Sequence, residues 1–226
     1  GNQLILNQNI TIGTFFILAN YLNVSFNNFC GLLTRINVID GNNDYFLVSN
    51  SNGTYFYNSN LLGQNLYING FPTYDFSPLL KHKIIYGYTN TPVIWNDMAI
   101  GWDRSFAGRF WYGDVCELII YDRILNDNEI TQVNDYLMDK YAPPVRLPAD
   151  TVLQSFCPFT IKPQGYFTQY LWSTGDTTDS IVVQTTGYYK VTATDIFGRQ
   201  STDSIFVQFP SLWNIDSAIV CLGDSV

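Results

Sequence analysis

The sequence is poor in charge, and most of the charge it has is acidic. Charged residues make up 13% of its 226 positions, with 11 Lys and Arg against 19 Asp and Glu, a formal net charge of −8. A duplex-binding protein needs a basic footprint and an anionic lipid surface attracts a polybasic one, so neither nucleic acid nor a lipid headgroup layer is an expected partner. No apolar run approaches the ~20 residues of a membrane-spanning helix, so no membrane insertion is expected. No signal peptide opens the chain at Gly1, and the chain reads as a piece of something longer. His82 is the only histidine, glutamate occurs only at Glu117 and Glu129, and the four cysteines contain no Cys-x-x-Cys pair. A zinc site is thereby excluded. A serine-type triad would have to use His82, which sits between Lys81 and Lys83, two cations that depress imidazole basicity. No Gly-x-Ser-x-Gly elbow and no glycine-rich phosphate loop accompanies it. Glycoside hydrolysis needs two carboxylates around the scissile bond. Glu129 is committed to a helix start, and Glu117 has no acidic residue two or three positions on, so Glu117 reads as structural. The chain is expected not to be an enzyme.

What is present is apolar and aromatic. A hydrophobic content of 46% and an aromatic content of 16% argue for a packed protein. From Val115 to Tyr121 the side chains alternate. Val115, Glu117, Ile119 and Tyr121 face one way, and Cys116, Leu118 and Ile120 the other. Apolar residues on both faces imply a strand covered on both sides. A helix follows, with Asn126 and Glu129 spaced as a capping box and Ile130, Val133, Leu137 and Tyr141 on one stripe. Tyr141-Ala-Pro-Pro ends it. Before this stretch, short strands are expected over 3–6, 14–22, 29–38, 44–49, 54–57, 65–68, 83–88 and 98–101. Asp40-Gly41, Asn52-Gly53 and Asn69-Gly70 punctuate them, with a hairpin tip at 67–70. Beyond Pro143, Pro144 and Pro148, strands are expected over 159–162, 170–173, 180–184, 188–194 and 204–209, with Trp172 in the core.

Gly-Asp-Val-Cys-Glu-Leu-Ile-Ile-Tyr-Asp-Arg-Ile-Leu (113–125), then Asn-Asp-x-Glu-Ile and a helix ending Tyr-Leu-x-x-Lys-Tyr, resembles the C-terminal signature of laminin-G-like, concanavalin-type jelly-roll domains of bacterial surface proteins. The resemblance covers roughly residues 1–141. It implies a fold that hosts lectins, adhesion modules and hydrolases alike. Tyr-Leu-Trp-Ser-Thr-Gly-Asp-Thr-Thr-Asp-Ser-Ile (170–181) and Thr-Gly-Tyr-Tyr-Lys-Val-Thr-Ala-Thr-Asp (186–195) resemble the tandem Ig-like repeats of secreted Bacteroidetes proteins, including gliding adhesins and other cargo of the type IX secretion system. In such repeats a cysteine follows the Asp-x-x-Gly turn. Here Arg199 and Gln200 follow Gly198, so no bridge within the domain is expected for Cys157. The expected architecture is all-β: a jelly-roll two-sheet sandwich with one C-terminal helix over 1–142, a Pro-rich linker at 143–149, an Ig-like β-sandwich over 150–209, and the start of a truncated further Ig-like domain over 210–226.

The stretch from Tyr88 to Tyr112 holds Trp95, Trp102, Phe106, Phe110, Trp111 and Tyr112, with Asp97, Asp103 and Arg104 between them. Aromatic faces with interleaved polar groups suit sugar rings, and the same rings also suit a sandwich core. Phe110 and Tyr112 are read as core. Trp95, Trp102, Asp103, Arg104 and Trp111 form the candidate ligand-binding set. The jelly-roll resemblance implies a calcium ion at a loop rim, for which Asp40, Asp44 and Asp75 are candidates, and no cofactor is required. Cys30 and Cys116 are either a disulfide or two separate buried thiols. Asp-Ser and Asp-Thr pairs at Thr151, Thr177, Ser180, Ser204, Ser217 and Ser225 resemble the Bacteroidetes O-glycosylation signal. Asn9, Asn23 and Asn52 fit the Asn-x-Ser/Thr acceptor pattern, which stays bare in a bacterial product.

The expected function is adhesion at a bacterial cell surface or in secreted form. The jelly roll would contact a glycan or a cell-surface protein, and an outer-membrane secretion machinery would export the chain. A non-catalytic carbohydrate-binding or spacer portion of a secreted polysaccharide-degrading enzyme is the alternative, and a purely structural role is a third reading.

Overall fold

The computed structural model of the chain describes residues 4–22, 29–36, 45–50, 53–57, 59–77 and 80–211. The chain divides into two compact units, Gly1–Leu137 and Met138–Val226, and is mostly β.

The first unit contains nine strands: β1 Leu4–Leu6, β2 Ile10–Ala19, β3 Cys30–Arg35, β4 Tyr45–Ser49, β5 Leu66–Ile68, β6 Phe71–Pro72, β7 Lys83–Trp95, β8 Met98–Ile100 and β9 Val115–Tyr121. They form one sheet in the order β1-β8-β3-β4 and another in the order β6-β5-β7-β2-β9. One apolar core joins the two sheets. Phe15 and Ile17 of β2 and Ile85 of β7 meet Leu32 and Leu33 of β3 and Phe46 and Leu47 of β4, with the Phe15 and Phe46 rings 5.2 Å apart. The opposite face of β2 is buried too, Phe16 stacking on Tyr86 at 5.3 Å. A strand covered on both faces must be apolar at successive positions, and Phe15-Phe16-Ile17-Leu18 meets that demand. The expected alternation in β9 holds, with Leu118 and Ile120 packed on the core.

The turn between β5 and β6 has positive φ at both central residues, Asn69 (52°) and Gly70 (84°). That conformation matches the right-handed twist of the flanking strands, and Asn-Gly adopts it at little steric cost. Two expectations are corrected. β7 runs on to Trp95 where a strand ending at residue 88 was expected. It continues through Pro92 because β5 pairs it only through Gly87, so beyond that point β7 has β2 alone as neighbour and a missing N–H is tolerated on the open side. Residues 54–57 make only isolated bridges, Ser49 with Phe56 and Tyr55 with Asp75.

Helix α1, Asp127–Tyr141, starts as its sequence requires. The Asn126 side chain accepts from Glu129 N at 3.1 Å, and Glu129 accepts from Asn126 N at 3.0 Å. Arg123 donates both of its Nη groups to the Glu129 carboxylate, at 2.6 and 2.8 Å. These bonds, Arg123 first and the Asn126 N–H second, hold the Glu129 carboxyl down to about 2. A depressed carboxylate stabilises the fold above its ordinary pKa, and that help is lost as pH falls from the usual Glu range toward 2. Asn126→Ala should lower the stability of the first unit by about 1 kcal/mol. Calorimetry reads this as a lower first transition, and an unmoved transition would show that the cap contributes nothing.

Cys30 and Cys116 are separate thiols, not a bridge, but only Cys30 is buried as expected, while Cys116 is exposed. Cys30 is buried on β3 of one sheet, its Sγ 3.2 Å from the Tyr21 hydroxyl, and Cys116 lies on β9 at the edge of the other sheet. Facing sheets stand ~10 Å apart, whereas a disulfide needs Cβ atoms within ~4.5 Å.

The second unit contains β10 Thr151–Val152, β11 Phe159–Ile161, β12 Gln169–Trp172, β13 Ile181–Val183, β14 Gly187–Thr194 and β15 Gln200–Gln208. One sheet runs β10-β15-β14-β12, with β10 parallel to β15, and β11 pairs antiparallel with β13. Ile161, Trp172, Ile181, Val191 and Ile205 share its core, and the Trp172 indole donates to Thr178 O at 2.9 Å. The stretch 143–149, expected as a linker, belongs to this unit. Val145 N donates to the Ser201 hydroxyl at 2.8 Å and Leu147 N to the Asp203 carboxylate at 2.7 Å, and Val145 enters the core. Cys157, for which no bridge within its own domain was expected, is disulfide-bonded. The further repeat expected over 210–226 lies outside the described residues from residue 212 on.

Candidate functional site

Between β8 and β9 the chain folds into a tight loop held at several points. Gly101 turns the chain with φ 82°, and Trp111 N donates back to Gly101 O at 3.0 Å. Asp103 N donates to Arg109 O at 3.0 Å, and Phe106 N to Asp103 O at 2.8 Å. The Trp102 indole closes onto Phe106 O at 2.9 Å. Inside this loop Arg104 (φ 48°) and Ser105 (φ 68°) take the left-handed conformation. Each costs about 1 kcal/mol or more, so surrounding bonds must impose it, and such strain collects at ligand sites. β3 imposes it here. The Thr34 hydroxyl donates to Trp102 O at 2.6 Å and accepts from Arg104 N at 3.2 Å. Gly31 on the same strand passes so close that a Cβ there would overlap the Asp103 backbone.

The loop presents two arginines around one acid. The Asp103 side chain is fully buried. Its carboxylate accepts from Arg104 Nε at 2.7 Å and from Arg109 Nη1 at 3.1 Å. Both guanidinium groups lie over aromatic rings. Arg109 covers Phe106 at 4.3 Å and Phe29 at 4.8 Å; Arg104 covers Tyr45 at 5.1 Å and Phe106 at 5.3 Å. A cavity of about 190 Å³ opens beside them, lined by Phe29, Tyr45, Val48, Tyr57, Arg104 and Arg109. Burial raises the Tyr45 phenol, with Arg104 opposing, so it stays neutral at physiological pH. Two cations against one carboxylate leave one positive charge on a chain of net −8. The cavity is smaller than the ~300–1,000 Å³ usual for a drug-sized ligand. It has room for one ring or one acidic group.

Of the five residues expected to bind ligand, only Arg104 lines this cavity. Trp102 lies in the same loop with its ring against Phe110, 6.1 Å away. Asp103 has no exposed surface, so its role is corrected from contacting a ligand to positioning Arg104 and Arg109. Trp95 and Trp111 are corrected to core: Trp95 packs on Phe46 at 4.4 Å, and the Trp111 indole donates to Asn20 O at 2.8 Å. Both are nearly inaccessible, because the sandwich fills its interior with the largest rings available. The sequence reading missed Arg109, although the symmetry of Arg-Ser-Phe-Ala-Gly-Arg in an arginine-poor chain was a usable signal. Phe29, Tyr45 and Tyr57 come from other strands and loops and carry no local signal.

Comparison with protein-family models and with curated proteins finds no match for this chain. The site is therefore read from its own chemistry.

The other candidates distribute as follows. Asp40 and Asp44 lie outside the described residues. Asp75 accepts from the Ser77 hydroxyl and backbone N–H, which lower its carboxyl below the usual range. Among the described residues no three acids, cysteines or histidines converge to hold a metal. Glu117 accepts from the Tyr136 hydroxyl at 3.0 Å, a structural contact. His82 is half-buried, and burial lowers its imidazole, with Asp114 opposing. Thr177 and Ser204 are exposed, while Thr151 and Ser180 are partly buried; Ser217 and Ser225 lie outside the described residues. A larger opening of about 570 Å³ lies by the edge strands β1 and β9, lined by Leu4, Leu6, Ile100, Val115 and Leu118 among others. It is mainly apolar, and no set of charged groups converges on it as at Asp103.

Proposed function

We propose that the first unit is a laminin-G-like jelly roll that binds a glycan at the Arg104–Arg109 cavity, within a secreted or surface-exposed bacterial adhesin. The second unit is an Ig-like spacer. Two antiparallel sheets with the capped helix after β9 support the jelly-roll reading. A parallel first-to-last strand pair beside an antiparallel β11-β13 pair supports the Ig-like one.

The observation that carries the binding reading is the arginine pair stacked on aromatic rings and held by a buried acid. A sugar presents apolar C–H faces and a rim of hydroxyls. The exposed rings of Phe29 and Tyr57, 5.5 Å apart, offer flat apolar contact, and the guanidinium edges donate hydrogen bonds. Asp103 fixes the arginines in advance, so binding does not bear the cost of ordering them. A glycan array probed with the full chain tests the reading. Tyr57→Ala should cut affinity for the bound glycan about tenfold or more with the fold intact by calorimetry. A flat array, or a bound glycan indifferent to Tyr57→Ala, would remove the proposal.

A further inference from the structure

Arg104 and Arg109 meet Asp103 with different edges. Arg104 turns its Nε–Nη2 edge to the carboxylate, at 2.7 and 3.5 Å. Arg109 reaches the same carboxylate through Nη1 alone, at 3.1 Å. Its Nε–Nη2 edge makes no hydrogen bond among the described residues. That edge carries two parallel N–H groups at the spacing of the two oxygens of a carboxylate, the geometry of a bidentate pair. The guanidinium carbon lies 4.3 Å from the centre of the Phe106 ring and 4.8 Å from that of Phe29, and 27% of the side chain is open. The edge is charged and belongs to a partly exposed side chain that lines a cavity with room for one ring.

Resting on the glycan reading above, we infer that the site selects an acidic sugar. The ligand carboxylate docks on the Nε–Nη2 edge of Arg109, and its ring lies against Phe29 and Tyr57. The one positive charge left around Asp103 favours an anion over a neutral sugar. The aromatic wall favours a sugar over an acidic peptide, whose carboxylates ride on flexible stems without a flat apolar face. The fork matches the two oxygens of a carboxylate, and a sulfate ester is the competing anion that the test separates.

Titration calorimetry on the full chain tests this with four probes: trigalacturonate, its fully methyl-esterified form, 3′-sulfolactose and hexaglutamate. Trigalacturonate should bind tightest, and esterification should weaken it about tenfold or more. Arg109→Gln should remove that preference, lowering affinity for the acid much more than for the ester. Arg109→Lys keeps the charge without the fork and should restore only part of the loss. Calorimetric melting confirms that each variant is folded, and Arg109→Lys serves if Arg109→Gln is not. Equal binding of acid and ester, or an Arg109→Gln loss shared equally by both, overturns the inference and leaves the glycan reading standing. Hexaglutamate or 3′-sulfolactose binding as tightly as trigalacturonate overturns the choice of a carboxylated sugar. Failure of trigalacturonate to bind overturns the inference too, and a flat neutral and acidic glycan array removes the glycan reading with it.

Discussion

Asp103→Ala should destabilise the first unit by about 3 kcal/mol, the low end of the cost of removing one partner from a buried charge pair. Two arginines depend on this one carboxylate, and each keeps some access to water, with side-chain exposures of 14% and 27%, which sets the estimate at that low end. The left-handed residues Arg104 and Ser105 follow Asp103 directly, so the same change releases the strained loop. In calorimetry the first transition should fall by roughly 10 °C. Asp103→Asn keeps the shape and loses the charge, so its fall should be smaller. Both variants should lose ligand affinity, because Arg104 and Arg109 are no longer held in place. A fall equivalent to less than about 1 kcal/mol would mean that the arginines find water instead and that Asp103 organises little.

The second large effect is a pH dependence set by Lys83. This lysine is almost entirely buried. Its amine donates to Phe76 O and lies over the Phe76 ring, 4.3 Å from its centre. Burial pulls its pKa from 10.5 to about 8, with Lys81 adding to the fall and Asp75 opposing it. The folded chain therefore releases this proton at lower pH than the unfolded chain does. Between about pH 8 and 10 the unfolded state binds more protons, and stability rises with pH across that window. At ~1.4 kcal/mol per unit, the gain is bounded at about 3 kcal/mol. Above pH 10 the trend reverses. Burial first, with a hydrogen bond to Cys30, raises the Tyr21 phenol, and a hydrogen bond to Tyr67 takes Tyr88 up to about 12. Unfolded tyrosines ionise before these do, so that part of the stability is lost as pH climbs. Denaturant midpoints at pH 7.5, 8.5 and 9.5 would read the rise, and Lys83→Met should flatten it. A wild-type chain that is flat over the same range would show that the Lys83 amine is solvated after all.

The two readings of the aromatic stretch from Tyr88 to Tyr112 show where legibility ended. Its composition pointed to a stretch that supplies Arg104 and Arg109 to the cavity, yet two of the three tryptophans chosen from it fill the core. A tryptophan carries the same local signature whether its ring faces solvent or a second sheet. Asp103 looked like a ligand contact because it lies beside Arg104. In the folded chain it is enclosed by β3 and the loop itself. By contrast, Asn126 and Glu129 were read correctly down to their reciprocal bonds, because a capping box is complete within four residues. Asn69-Gly70 and the β9 strand were equally legible, their geometry being set by neighbours in sequence.

The amino-acid order alone determined an all-β chain, the place of its one helix among the described residues, the hairpin at Asn69-Gly70 and the acidic balance of its charge. Backbone conformation and near-neighbour periodicity decide each of these, and they act over a few residues. Only the tertiary structure decided which rings became core and which line the cavity, kept Cys30 and Cys116 apart, and set Phe29, Tyr45 and Tyr57 around Arg104 and Arg109. Those outcomes depend on which strands become neighbours, and sheet pairing joins residues far apart in the chain through contacts that no short window contains.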